Sequence, residues 1–189
     1  MTADDAGPVG RAPDRPLVFV GLMGSGKSSV GRRVAGRLDL PFVDVDVEIE
    51  ARTGATIAEI FADRGEPAFR VLEADVLAEL LDRGEPGVIA SGGGAVLSER
   101  TRRRLQDDAL VVWLRARPST LTHRTKPDDT RPLLTGDHRA TLERLAAERD
   151  PLYAEVADHV VDVDLVERRA VVEAVLAALA TGTPREVVR

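Results

Sequence analysis

The sequence contains no cysteine. That excludes a disulfide framework, thiolate nucleophiles and any zinc site built on cysteine. Histidine is nearly as scarce, and His123, His138 and His159 are too few and too scattered for a metal cluster. Aromatic residues make up only 3% of the chain, so its core must be filled by valine, leucine, isoleucine and alanine. No apolar run approaches the ~18–20 residues that a membrane-spanning helix needs. Residues 1–15, with Asp4, Asp5, Gly7, Pro8, Gly10 and Pro13, also lack the apolar stretch of a signal peptide or anchor and read as a disordered tail. A soluble cytoplasmic protein without a membrane partner is expected. The net charge of −6 weighs against a general nucleic-acid surface, which depends on basic patches.

Lysine is the most telling scarcity: of 26 basic residues only Lys27 and Lys126 are lysines. Lys27 stands in Gly21-Leu22-Met23-Gly24-Ser25-Gly26-Lys27-Ser28, which fits the pattern G-x-x-x-x-G-K-[ST] without mismatch. Before it lies Leu17-Val18-Phe19-Val20, a strand-like run, and after it Val30, Val34 and Leu38 recur at helical spacing. Strand, loop and helix together aim successive backbone N–H groups at phosphate oxygens at the positive end of a helix. Gly24, Ser25, Gly26, Lys27, Ser28 and Ser29 are therefore candidate nucleotide contacts. Lys27 is placed for the β- and γ-phosphates, and Ser28 for Mg²⁺. A compact ammonium suits that cradle better than the broad fork of arginine, which the chain uses nearly everywhere else.

The 189 residues suffice for one well-buried domain, here expected over residues 16–180, with tails at 1–15 and 181–189. A helix from Lys27 to about Leu38 is followed by a short strand, Phe42-Val43, running into Asp44-Val45-Asp46. The alternation puts Asp44 and Asp46 on one strand face. One or two helical turns from Val47 to Arg52 close at Gly54. Thr56-x-x-Glu59 is a capping box that opens a helix ended by Gly65. Glu66 to Leu81 carries an apolar stripe of Phe69, Leu72, Val76 and Leu80, with Arg70 and Glu73 three apart. Strands follow at Gly87–Ala90, Ala109–Leu114 and His159–Val163. Helices are expected at Ser98–Asp107, from Pro118 to about Arg124, from about Arg139 to Arg149, and at Glu167–Ala180. Residues 125–138 are polar, without periodicity, and form the best lid candidate. Alternating strands and helices imply an α/β fold, a three-layer sandwich with a central, mostly parallel five-stranded sheet and ligands at its carboxyl ends.

An ordered set of motifs runs through the chain: the phosphate loop, Asp44-x-Asp46, Phe69-Arg70, Gly92-Gly93-Gly94, Arg131-Pro132-Leu133-Leu134 and Arg149-x-Pro151-Leu152-Tyr153. With it the sequence resembles the shikimate kinase family from about Pro16 to Ala180. The resemblance implies a P-loop kinase fold with a mobile lid, and transfer of the γ-phosphoryl group of ATP to the 3-hydroxyl of shikimate with Mg²⁺. It makes Asp46 the group that binds substrate hydroxyls and accepts the proton, where a helix N-cap before Val47 is the plain alternative. Asp44 is similar to the acid that holds Mg²⁺ through water, or is a solvated strand-end carboxylate. Arg70 and Arg149 match the arginines that grip the shikimate carboxylate, with Glu73 orienting Arg70. Gly92, Gly93 and Gly94 resemble the backbone platform under the substrate, or form a tight turn. Phe61 and Phe69 are pocket walls or core.

Arg131 resembles the lid arginine that swings onto the transferring phosphate, and Arg124 matches a position against adenine. The family's Asn, Arg and Pro after the last strand are replaced by Asp164-Leu165-Val166-Glu167-Arg168-Arg169, of which only Arg168 is assigned to the nucleotide. Thr125-Lys126-Pro127-Asp128 superficially matches a guanine-reading motif, but it follows polar Thr122-His123-Arg124 rather than a buried strand. Another sugar-acid kinase, such as a gluconate kinase, is the nearer rival, and a silent binding protein a third; intact Lys27, Ser28, Asp46 and Arg131 weigh against the latter. A monomer is expected.

Overall fold

The computed structural model describes residues 12–125, 137–164 and 167–181, and the backbone of 187–188. Strand β1 (Leu17–Val20) is buried along its whole length. This explains an apolar run without alternation, because a central parallel strand has both faces covered. It pairs with β3 (Val88–Ala90) on one side and β4 (Leu110–Arg115) on the other. β2 (Phe42–Asp44) lies outside β3, and β5 (His159–Asp162) outside β4, every pairing being parallel. The five expected strands are thus in place. A sixth, β6 (Val187–Val188), pairs with β5 inside the stretch the sequence reads as a tail, giving the order β2-β3-β1-β4-β5-β6. Two valines are too short a run to register as a strand without the neighbour they pair with.

Helices α1 (Lys27–Leu38), α2 (Val45–Thr53), α3 (Ile57–Asp82), α4 (Glu99–Asp108), α5 (Pro118–Arg124), α6 (His138–Val156) and α7 (Arg168–Thr181) flank this sheet. α1 packs against α7 and α4 against α6, completing the three-layer arrangement. The capping box opens α3 as expected: Thr56 Oγ1 accepts from the Glu59 N–H at 3.2 Å, and Glu59 Oε2 accepts from the Thr56 N–H at 2.7 Å. Thr56→Ala removes the side-chain half of this exchange, leaving the Glu59 N–H without its cap, and should lower the free energy of unfolding by about 1 kcal/mol, measured by urea denaturation. Gly65, at φ 77° and ψ 168°, breaks α3 where the sequence ends its first helix.

Two expectations fail instructively. Asp46 is not a strand residue but lies in the first turn of α2, and Asp44 is the N-cap, its side chain accepting from the Asp46 N–H at 3.1 Å. Cap chemistry and the positive end of the helix outweigh the strand-like alternation. The helix expected to stop at Arg149 instead runs through Pro151 to Val156. Its buried residues Leu142, Leu145, Ala146, Arg149, Tyr153 and Val156 keep one phase across the proline, so packing overrides the lost backbone hydrogen bond.

Candidate active site

The loop after β1, the acids at and just beyond the end of β2 and the glycines after β3 all lie at carboxyl ends of adjacent strands, where an open parallel sheet binds its ligands. There they line a cavity of about 320 Å³ together with Ile57, Phe61, Phe69, Arg70 and Glu73 of α3 and Arg149 of α6. Gly26 caps α1 at φ 97°, a conformation that suits glycine. Lys27 Nζ donates to the carbonyls of Gly21 at 2.8 Å and Leu22 at 3.1 Å, which holds the ammonium over the loop. Gly24, Gly26, Lys27, Ser28 and Ser29 line the cavity; Ser25 is buried beneath it.

Asp46 opens into the cavity as an exposed residue whose carboxyl is partly desolvated by the surrounding protein. That loss of hydration, and next the negative charge of Asp44, push its pKa up against the opposing pull of Lys27 and Arg70. A carbon-detected NMR titration is expected to find two aspartates titrating above the ordinary value of 3.8, Asp46 and the partly buried Asp150, and to lose one of the two signals in Asp46→Asn. Such a carboxylate is a better proton acceptor than an ordinary one. Asp44 and Ser28 line the same space and offer only hard oxygen donors, which fits Mg²⁺. Among the described residues no group of three or more His, Cys, Asp and Glu forms a self-contained metal cage.

Arg70 is held from both sides. Its Nη1 donates to Glu73 Oε2 at 2.7 Å, and Nη2 and Nε donate to Glu66 Oε1 at 2.8 and 3.1 Å. Glu73 is almost fully buried, and burial pushes its pKa up while Arg70 pulls it down. The glycine turn exists because of this pair: a Cβ on Gly92 would overlap Glu73 Oε1, and one on Gly94 would overlap the Arg70 guanidinium. Phe61 and Phe69, with ring centroids 4.8 Å apart, form the apolar wall. Across the cavity, Arg149 Nη1 donates to the Gly93 carbonyl at 3.2 Å. Two cationic forks thus face one small cavity beside a phosphate cradle and a carboxylate, a set suited to a small anionic acceptor.

The family model described as shikimate kinase matches residues 23–180. The chain belongs to the shikimate kinase family. It is 54% identical over 153 residues to the shikimate kinase of Burkholderia thailandensis, covering 80% of this chain and 83% of that protein. Identity to the shikimate kinase of Rhodopseudomonas palustris is 48% over 165 residues, 87% of this chain and 81% of that one. The solved shikimate kinase from Acinetobacter baumannii in complex with shikimate superposes with a TM-score of 0.85 at 38% identity, covering 88% of this chain and 93% of that structure.

Within this shikimate kinase fold some expected residues stand elsewhere. Arg131 lies outside the described residues, as does nearly all of the expected lid; only Thr125, Asp137 and His138 of it are described. Arg124 does not line the cavity but donates through Nη2 to the Val163 carbonyl at 2.7 Å, beyond the end of β5. Arg168 is exposed at the start of α7. Nearby, burial works against ionisation of Asp164, but hydrogen bonds from Thr120 and Arg117 outweigh it and hold its carboxyl below the usual range. Sequence reasoning missed Glu66, although its place four residues before Arg70 on a helix was a usable signal. It also gave Tyr153 no role, because ending α6 at Arg149 hid that the two residues share a helix face.

Proposed function

We propose that this chain transfers the γ-phosphoryl group of ATP to the 3-hydroxyl of shikimate, giving shikimate 3-phosphate and ADP on the route to chorismate and aromatic amino acids. The observation that carries the reading is the convergence of Lys27, Asp46, Arg70 and Arg149 on one cavity in a member of this family. Arg70 and Arg149 bind the substrate carboxylate, and Gly92 to Gly94 carry the ring. The carboxylate of Asp46 accepts the hydroxyl proton as the new P–O bond forms and the bond to the β-phosphate oxygen breaks, releasing ADP. Lys27 and the loop N–H groups of Gly24, Ser25 and Gly26 neutralise charge on the phosphates, with Arg131 completing the set and Arg124 and Arg168 on the adenine side. Ser28, and Asp44 through water, would hold Mg²⁺, which would supply positive charge to offset that of the phosphates. The chain acts as a monomer in the cytoplasm, as one domain over residues 16–180.

Mg²⁺-dependent ADP release, compared with shikimate, gluconate, quinate and no acceptor, tests this directly. Release strictly dependent on shikimate is expected. Release without acceptor, or dependent on a different acid, would leave the phosphate-loop assignment standing and remove the substrate and arginine assignments.

A further inference from the structure

Tyr153 does not reach the cavity, yet it touches the same atom as Arg149. Its hydroxyl donates to the Gly93 carbonyl oxygen, the acceptor that Arg149 Nη1 reaches only at 3.2 Å, and the tyrosine bond is the shorter of the two. A charged donor would ordinarily hold its acceptor at about 2.7–2.9 Å, so the neutral partner has the closer seat. The ring is fully buried and packs on Trp113 with centroids 5.7 Å apart, which fixes the hydroxyl in place. Burial also pushes the phenol pKa up, so the group remains a donor throughout the working pH range. Arg149 Nε is buried without a hydrogen-bond partner among the described residues, so the guanidinium holds unused donor capacity.

We propose that Tyr153 is a positioning residue for acceptor recognition: by occupying the Gly93 carbonyl at shorter range, it keeps the Arg149 guanidinium from closing onto that carbonyl and leaves it free for the substrate carboxylate. The proposal rests on the shikimate reading above. With the hydroxyl removed, the existing Arg149 bond to the carbonyl is expected to shorten and strengthen, and shikimate must compete with the stronger bond for the guanidinium.

Tyr153→Phe keeps the ring and removes only the donor. Shikimate Kd by calorimetry, with kcat and both KM values, is measured for the native chain, Tyr153→Phe, Arg149→Lys and the double variant. Tyr153→Phe is expected to raise Kd and KM for shikimate about 5–10-fold, with kcat and KM for ATP within about twofold. In the Arg149→Lys background the same change is expected to add less than about twofold, because the residue it acts through is gone. Equal shifts in both KM values, or an effect that persists undiminished in Arg149→Lys, would mark a general structural role and overturn the proposal. Normal shikimate binding by both the native chain and Tyr153→Phe overturns it alone. A native chain that binds no shikimate overturns the substrate reading and this proposal with it.

Discussion

Asp46→Asn is expected to bind ATP almost as the native chain does while kcat falls by at least ~10²-fold, the usual scale for loss of a general base. Asparagine keeps the shape and the hydrogen-bonding reach of aspartate but cannot accept the proton. Removing a negative charge beside the phosphate cradle gives no reason for nucleotide affinity to drop. Calorimetric ATP binding and steady-state kcat separate the two effects, and a collapse of ATP binding along with turnover would make Asp46 a structural residue.

The same variant should be more stable than the native chain at neutral pH. The folded-state pKa of Asp46 is raised, so between the unfolded and folded values the native state holds more protons than the unfolded one. Stability then falls as pH rises through that window, and the ionised carboxylate is a net cost above it. The neutral amide of the Asp46→Asn variant carries no such cost. The melting temperatures of the two proteins should therefore differ near pH 7 and converge as pH drops below the ordinary aspartate value. A carboxylate kept against its own folding preference is what a site selected for proton transfer looks like.

Much of this site could be read from the chain because its signals are local. The phosphate loop needs only a strand, glycines and a helix start in succession, and Thr56 with Glu59 is a complete cap within four residues. Even the break at Gly65 follows from one residue's freedom at positive φ. What failed depended on partners distant in sequence or on a choice between two local preferences. Asp44-Val45-Asp46 satisfies strand alternation and an N-cap equally well on paper, and the cap won because the Asp46 N–H has the Asp44 carboxylate within reach. Pro151 stops a helix by propensity, but α6 has a buried face on both sides of it that is worth more than one backbone bond. That misreading had a functional consequence, since only the continuous helix brings Tyr153 and Arg149 to one carbonyl. The close approach of Glu73 and Arg70 to the glycine turn is likewise invisible until α3 and β3 are placed together.

Gly94→Ala tests that approach and should produce the second large loss. Gly94 sits at φ −103° and ψ 0°, a conformation open to any residue, so alanine meets no backbone strain there. Its methyl would instead overlap Nη1, Nη2 and Cζ of Arg70. Arg70 cannot step aside freely, because leaving Glu73 would strand a buried carboxylate without its cation. Either the guanidinium or the turn must shift, and the grip on the substrate carboxylate is lost in both cases. A fall of about 10²–10³-fold in kcat/KM for shikimate is expected, the scale of removing one partner of a desolvated charge pair, with ATP affinity unchanged. Gly36→Ala supplies the contrast: nothing lies within 4 Å of the added methyl, and activity should stay at the native level. If the loss arises from collision with this one guanidinium, then Arg70→Lys, whose head group is more compact, should lose little more activity when Gly94→Ala is added to it. A full additional loss in the double variant would mean that the turn itself, rather than the arginine it makes room for, sets the requirement for glycine.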